Sequence, residues 1–138
     1  MKIRSKWVQD IAEMQEKYGV RKWVEDPANK DKLKDFMAFR LDFIEEEFEE
    51  TLLAFAEQDP EEIVDGLIDI CVVAIGTLLA FDVDPDQAWD EIHKANMNKE
   101  VGVKKSRPNP LGLPDLSKPE GWTPPSHKGN HGDLTNNI

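Results

Sequence analysis

The chain has 138 residues, with 28 Asp and Glu against 17 Lys and Arg, a formal net charge of -11. Such a length suits one domain with a core that needs neither disulfides nor a structural metal. The acid excess excludes a nucleic-acid-binding face and a surface that docks on anionic lipid. The mean hydropathy of -0.58 points to a soluble protein.

Ile3, Trp7, Val8, Ile11, Met14 and Tyr18 recur at helical spacing before Gly19, which predicts a first amphipathic helix over 3–18. A short connector carries Trp23 and Pro27. A second helix is expected from about Asn29–Asp31 to Gln58, a stretch without Gly or Pro. Asp59-Pro60-Glu61-Glu62 sets a capping Asp, a first-turn Pro and an N3 Glu in order, so a third helix starts there. Asp84-Pro85-Asp86-Gln87 repeats the device and opens a fourth through Trp89, Ile92 and Met97. Residues 101–138 hold 6 of the 9 prolines and 5 of the 8 glycines and read as an extended arm. The expected class is all-α: a four-helix core over 1–100 and a long Pro/Gly-rich C-terminal arm over 101–138.

Cys71 is the single cysteine, inside an apolar run, which fits a reducing compartment and a small buried hydrophobe. The N-terminus has no apolar signal segment, and the longest charge-free run, Ile70–Phe81, is shorter than the roughly 20 residues of a membrane span. A cytoplasmic location is expected, with no membrane partner. From Leu67 to Phe81 only Asp69, Gly76 and Thr77 are not apolar. A helix apolar on every side is buried on every side. Three short partners would not easily cover it, so a homodimer or homotetramer is expected with this helix at or near the interface; the alternative is a well-covered central helix in a monomer.

The charge is concentrated. Residues 35–70 hold 13 acidic groups and one basic group, Arg40, for a net -12, while 1–34 carry +3 and 71–138 carry -2. On the second helix, Leu33, Met37, Leu41, Ile44, Phe48, Leu52 and Phe55 form one apolar stripe, and Phe36, Phe39, Phe43 and Ala54 form another. Glu46, Glu47 and Glu50 continue the second stripe and are expected to be partly enclosed; Glu45 and Glu49 face solvent. On the third helix Glu62, Asp65 and Asp69 share a face, and Asp69 sits between Ile68 and Ile70. A buried carboxylate is costly unless paired or bound to metal. Arg40 alone cannot neutralise the window, whereas Mg²⁺ or Mn²⁺ can.

Glu46-Glu47-x-x-Glu50 followed by Glu62-x-x-Asp65 resembles the EExxE…ExxD signature of the all-α nucleotide pyrophosphohydrolases, the superfamily of MazG, the all-α dUTPases and phosphoribosyl-ATP pyrophosphohydrolase. His93-Lys94-Ala95-Asn96-Met97-Asn98-Lys99 resembles the HxxNMxK segment of its phage and bacterial MazG-like branch. Gly76-Thr77 and the Lys118–Pro125 segment also look like that branch. The resemblance implies a MazG-like bundle, metal ligation by Glu47 and Glu50 with Glu46 beside them, and two further ligands from the second motif. The literal match there is Glu62 with Asp65. The aliphatic run that normally follows the final Asp begins after Asp69, which favours Asp69 with Asp65 as its companion and leaves Glu62 chiefly a cap.

The resemblance further implies hydrolysis of a (deoxy)nucleoside triphosphate, such as dGTP, to monophosphate and pyrophosphate with Mg²⁺ or Mn²⁺. In that reading Glu46 or Glu47 holds the attacking water, and His93, Asn96, Lys99 and Trp122 contact substrate. Lys94, Lys104, Lys105 and Arg107 are further candidates for the leaving pyrophosphate. Phosphoribosyl-ATP is the alternative substrate. If the chain is of phage origin, the compartment is the host cytoplasm. Two rivals come from other classes. A di-iron bundle wants two Glu-x-x-His pairs, which three histidines in these positions do not supply. A DNA-mimicking acidic protein would expose its acids, whereas about half of these share a face with phenylalanine.

Overall fold

A computed structural model describes residues 4–104 and 110–138. Ile3, Lys105 and Arg107 lie outside the described residues. The class is all-α. Helix α1 spans Lys6–Tyr18 and buries Val8 and Ile11; it ends at Gly19, whose φ of 70° is left-handed. The expected connector is itself helical: α2 spans Val20–Glu25, and a 3₁₀ turn follows over Pro27–Lys32. Asp26 opens that turn by accepting the Ala28 N–H at 2.9 Å. The second predicted helix is α3, Leu33–Ala56. The third is α4, Pro60–Ala80, where Asp59 accepts the Glu62 N–H at 3.1 Å. The fourth is α5, Pro85–Met97.

The chain divides into two compact units. One comprises the residues up to Pro85 together with Gly129–Ile138; the other is Asp86–Lys128.

In the first unit, Val24, Leu33, Ala80, Phe81 and Val83 form a core that also takes in Phe36 and Leu134. The Phe36 ring lies 5.2 Å from Trp23 and 5.7 Å from Phe81, centroid to centroid. Val8, Ile11 and Leu79 form a second cluster. The last ten residues are thus not part of a free arm. Asn130 exchanges two hydrogen bonds with the Asp84 backbone, at 2.8 and 2.9 Å. The Asp133 N–H donates to Phe81 O at 2.6 Å. Arg21 donates to both Ala80 O and Asp133. Proline and glycine content cannot anticipate such bonds.

The second unit holds α5 and two short antiparallel strands, β1 (Glu100–Gly102) and β2 (Asp115–Ser117), paired with Val101 opposite Leu116. Trp122 donates its indole N–H to Ala95 O at 2.8 Å, fastening the later segment to α5.

Helices α3 and α4 run antiparallel. Arg40 reaches Thr77 and Val73 near one end of the pair, and Gly66 abuts Thr51 near the other. α4 is not buried on every side within one chain. Val73, Gly76, Leu79 and Ala80 face inward, but Val64, Leu67 and Ile68 remain exposed, as do Phe48, Leu52 and Phe55 on α3. Among the described residues α4 is the one helix long and apolar enough to cross a membrane by length and composition. Trp7, Trp23 and Trp89 are all exposed, Trp89 at 71%. Their amphipathic rings leave one side open.

Candidate active site: carboxylates on facing helices

The α3–α4 register determines which acids meet. Arg40 Nε donates to Thr77 Oγ1 at 3.0 Å and its Nη2 to Val73 O at 3.1 Å. At the other end a Cβ on Gly66 would run into Thr51 Oγ1, so glycine there lets the helices close. Glu47 lies between these ties, and Asp69 lies between Gly66 and Val73. The two carboxylates therefore stand at one level of the facing helices.

Electrostatics agrees with that placement. Burial pushes the Glu47 carboxyl above the usual carboxylate range, and Glu50, Asp69 and Glu46 push it further in the same direction. Among the described residues no cation counters them. Thr51 anchors its hydroxyl on Glu47 O at 2.8 Å, which ties the same turn to the close-packed point.

Of the expected site acids, the structure brings Glu46, Glu50 and Asp69 near enough to act on Glu47. Glu62 and Asp65 are exposed on the first turns of α4, and neither is among the groups that shift Glu47. The Glu62 amide is engaged in the helix cap.

The expected enclosure holds only for Glu47, which is half-buried; Glu46, Glu50 and Asp69 are exposed in the single chain. The reason lies in the second apolar stripe of α3. Phe39 is 60% exposed, so that stripe does not turn wholly into the chain's own core. Asp69 follows suit, because its neighbour Ile68 is also open.

Among the described residues, no three Asp, Glu, His or Cys side chains converge tightly enough to hold an ion as they stand. The donor set still suits a hard divalent cation. It offers carboxylate oxygens from two facing helices, with no cation paired to them among the described residues. The open cavity of about 950 Å³ in this unit lies elsewhere, lined by residues of α1, α2 and the end of α4 such as Gln15, Arg21 and Leu79. That cavity includes none of the candidate site acids.

In the second unit, His93, Lys94 and Asn96 are exposed on α5, and the Lys99 N–H donates to Asn96 O at 3.1 Å. Lys99 Nζ lies 5.5 Å and Lys118 Nζ 5.1 Å from the Trp122 ring centroid. Two cations thus attend one indole, an arrangement favoured by the ring quadrupole. Lys99 and Trp122 come together as a group, while His93 and Asn96 take no side-chain part in it. Sequence reasoning gave Lys118 no role; its signal was the four-residue spacing to Trp122.

A match over residues 20–96 to the family described as phosphoribosyl-ATP pyrophosphohydrolase spans more than half of the chain and every carboxylate of the site. The match defines the class as the MazG-like all-α nucleoside triphosphate pyrophosphohydrolases. Within that class, the chain belongs to the phosphoribosyl-ATP pyrophosphohydrolase family. Its activity is accordingly that of a nucleotide pyrophosphohydrolase, an enzyme type that uses divalent metals. No curated protein matches the chain.

Proposed function

We propose that this enzyme cleaves the anhydride between the α- and β-phosphates of a (deoxy)nucleoside triphosphate, with dGTP a leading candidate, to give monophosphate and pyrophosphate. The observation that carries the reading is the facing of Glu47 and Asp69 across α3 and α4, with Glu46 and Glu50 adding charge of the same sign. Glu47, Glu50 and Asp69, with Asp65 one turn away, are the residues to hold Mg²⁺ or Mn²⁺. The cation, when bound, neutralises phosphate oxygens and makes the α-phosphorus more electrophilic. A carboxylate oxygen of Glu46 or Glu47 orients the attacking water and accepts its proton; a raised carboxyl pKa suits a base near neutral pH. No covalent nucleophile is invoked. His93, Asn96 and Lys99 are proposed substrate contacts on the strength of the HxxNMxK resemblance; Trp122 joins them because Lys99 and Lys118 lie against its ring, and the paired ammoniums suit an anionic ligand.

A second reading takes phosphoribosyl-ATP as substrate, and the family match favours it. Both substrates carry the same scissile bond. Incubating the enzyme with the eight common nucleoside triphosphates and phosphoribosyl-ATP, with Mg²⁺ or Mn²⁺, separates the readings by which monophosphate forms. Absence of pyrophosphate from all nine, or release unaffected by EDTA, sinks both.

A homodimer or homotetramer in the cytoplasm completes the proposal. The support is the exposed apolar surface that Phe48, Leu52, Phe55, Val64, Leu67 and Ile68 present on α3 and α4. Surfaces of that kind mark association sites. A second copy on that face would also reduce solvent around Glu46, Glu50 and Asp69.

A further inference from the structure

Arg40 is the lone cation among residues 35–70, and the pyrophosphohydrolase reading gives it no task. Its guanidinium is held firmly. Nε and Nη2 are tied to Thr77 Oγ1 and Val73 O, and Thr77 Oγ1 itself donates to Val73 O at 2.7 Å. Both bonds thus rest on one turn of α4. The Phe43 ring lies 5.9 Å beneath the guanidinium carbon. Gly76 is glycine because a Cβ there would lie 2.9 Å from Arg40 Nη2 and 2.7 Å from Gln15 Nε2.

The contrast with Arg21 is informative. Arg21 meets the carboxylates of Glu25 and Asp133. Among the described residues no carboxylate lies within ion-pair distance of Arg40, and Nη1 has no partner. Burial alone acts on its ionisation, lowering its pKa with no acid to oppose it. A half-buried, uncompensated cation is costly unless a counter-charge arrives. The chain places it in its most acidic segment without pairing it to any of the 13 acids there.

Its position fits an anion near the carboxylates. Arg40 and Glu47 are seven residues apart, on the same stripe of α3 and about 10 Å apart along it. On the facing helix, Val73 is one turn beyond Asp69, about 6 Å along α4. A phosphate chain held near Glu47 and Asp69 therefore comes within reach of the guanidinium.

We propose that Arg40 is a substrate-binding residue that receives the phosphate chain, and the pyrophosphate leaving from it, through the free edge of its guanidinium. The inference rests on the reaction proposed above. Guanidinium is suited to the task because its planar donors match phosphate oxygens in pairs, a geometry lysine lacks.

The test is calorimetric titration of inorganic pyrophosphate, at fixed Mg²⁺, into the full chain and its Arg40→Gln and Arg40→Lys variants, with thermal melts of each. Arg40→Gln is expected to weaken pyrophosphate binding at least tenfold. Arg40→Lys should recover part of the affinity and raise KM more than it lowers kcat. If Arg40→Gln does not fold, Arg40→Lys decides: it should bind pyrophosphate several-fold more weakly than wild type. Unchanged pyrophosphate affinity in the folded variants, or loss of thermal stability alone, makes Arg40 a strut between α3 and α4 and overturns the inference. So does failure of the wild type to bind pyrophosphate. The wild-type nucleotide panel keeps the two ideas apart. Turnover with Arg40-independent pyrophosphate binding defeats only this inference. Arg40-dependent binding without turnover of any nucleotide defeats only the proposed reaction.

Discussion

Glu47 on α3 and Asp69 on α4 stand at the same level of two antiparallel helices, and Asp69 helps to raise the Glu47 carboxyl pKa. The relationship is fixed by ties on either side: Arg40 with Thr77 and Val73, and Thr51 against Gly66. Among the described residues no cation forms an ion pair with either carboxylate.

The raised Glu47 carboxyl has a defined consequence for the metal-free protein. Its folded pKa lies above the unfolded value, so the folded state holds the proton more tightly. The stability it contributes is fully present below the unfolded pKa and is lost as pH rises through the folded one. At neutral pH, Glu47→Gln should therefore stabilise the metal-free chain. The gain should be only a few tenths of a kcal/mol, because a half-exposed charge is screened by solvent. Urea denaturation of EDTA-treated protein across this pH range checks it: the wild-type slope should be shallower in the variant.

The close point at Gly66 offers a mechanical test. Gly66→Ala drives a Cβ into Thr51 and should destabilise the fold by about 1–3 kcal/mol, as overpacking does. Adding Thr51→Ala removes the hydroxyl but keeps a Cβ that the new methyl would meet at 3.1 Å, so the rescue should be partial. Melts of the single and double variants, read with turnover, show whether helix spacing also sets activity.

The returning C-terminus gives a third prediction. Asn130 is 7% exposed and satisfies both the N–H and the C=O of Asp84. Asn130→Ala leaves those groups without their partner and should cost about 1–3 kcal/mol. Asp133→Ala removes one of two carboxylates from a partly exposed Arg21 and, as a side-chain ion pair, should cost about 1 kcal/mol or less. Urea midpoints of the two variants should fall in that order.

The open apolar face of α3 and α4 predicts association. Ile68→Glu or Leu52→Glu should shift the sedimentation coefficient from an oligomer toward a monomer. A monomeric wild type at micromolar concentration would contradict the proposal.

What the sequence made legible follows from local physics. Asp59-Pro60 and Pro85 marked two helix starts because capping and proline geometry act within one turn. The acid cluster was legible because helical spacing places Glu46, Glu47 and Glu50 together. The exposure of Glu46, Glu50 and Asp69 was not, because periodicity shows which residues share a face and not what covers that face. Nor could composition reveal Asn130 and Leu134, whose roles depend on partners some fifty residues or more away in sequence. The helical connector at Val20–Glu25 was missed because Gly19 and Pro27 read as breaks, yet the seven residues between them leave room for the six of α2.

The central claim is that Glu47 and Asp69 together form a cation site. Its most direct test is the thermal shift of the metal-free protein on adding Mg²⁺ or Mn²⁺, in wild type and in Asp69→Asn. At 100 times the dissociation constant, wild type should gain about 2.7 kcal/mol, seen as a raised melting temperature, and Asp69→Asn should gain little. An equal rise in both, or none in wild type, would contradict the claim.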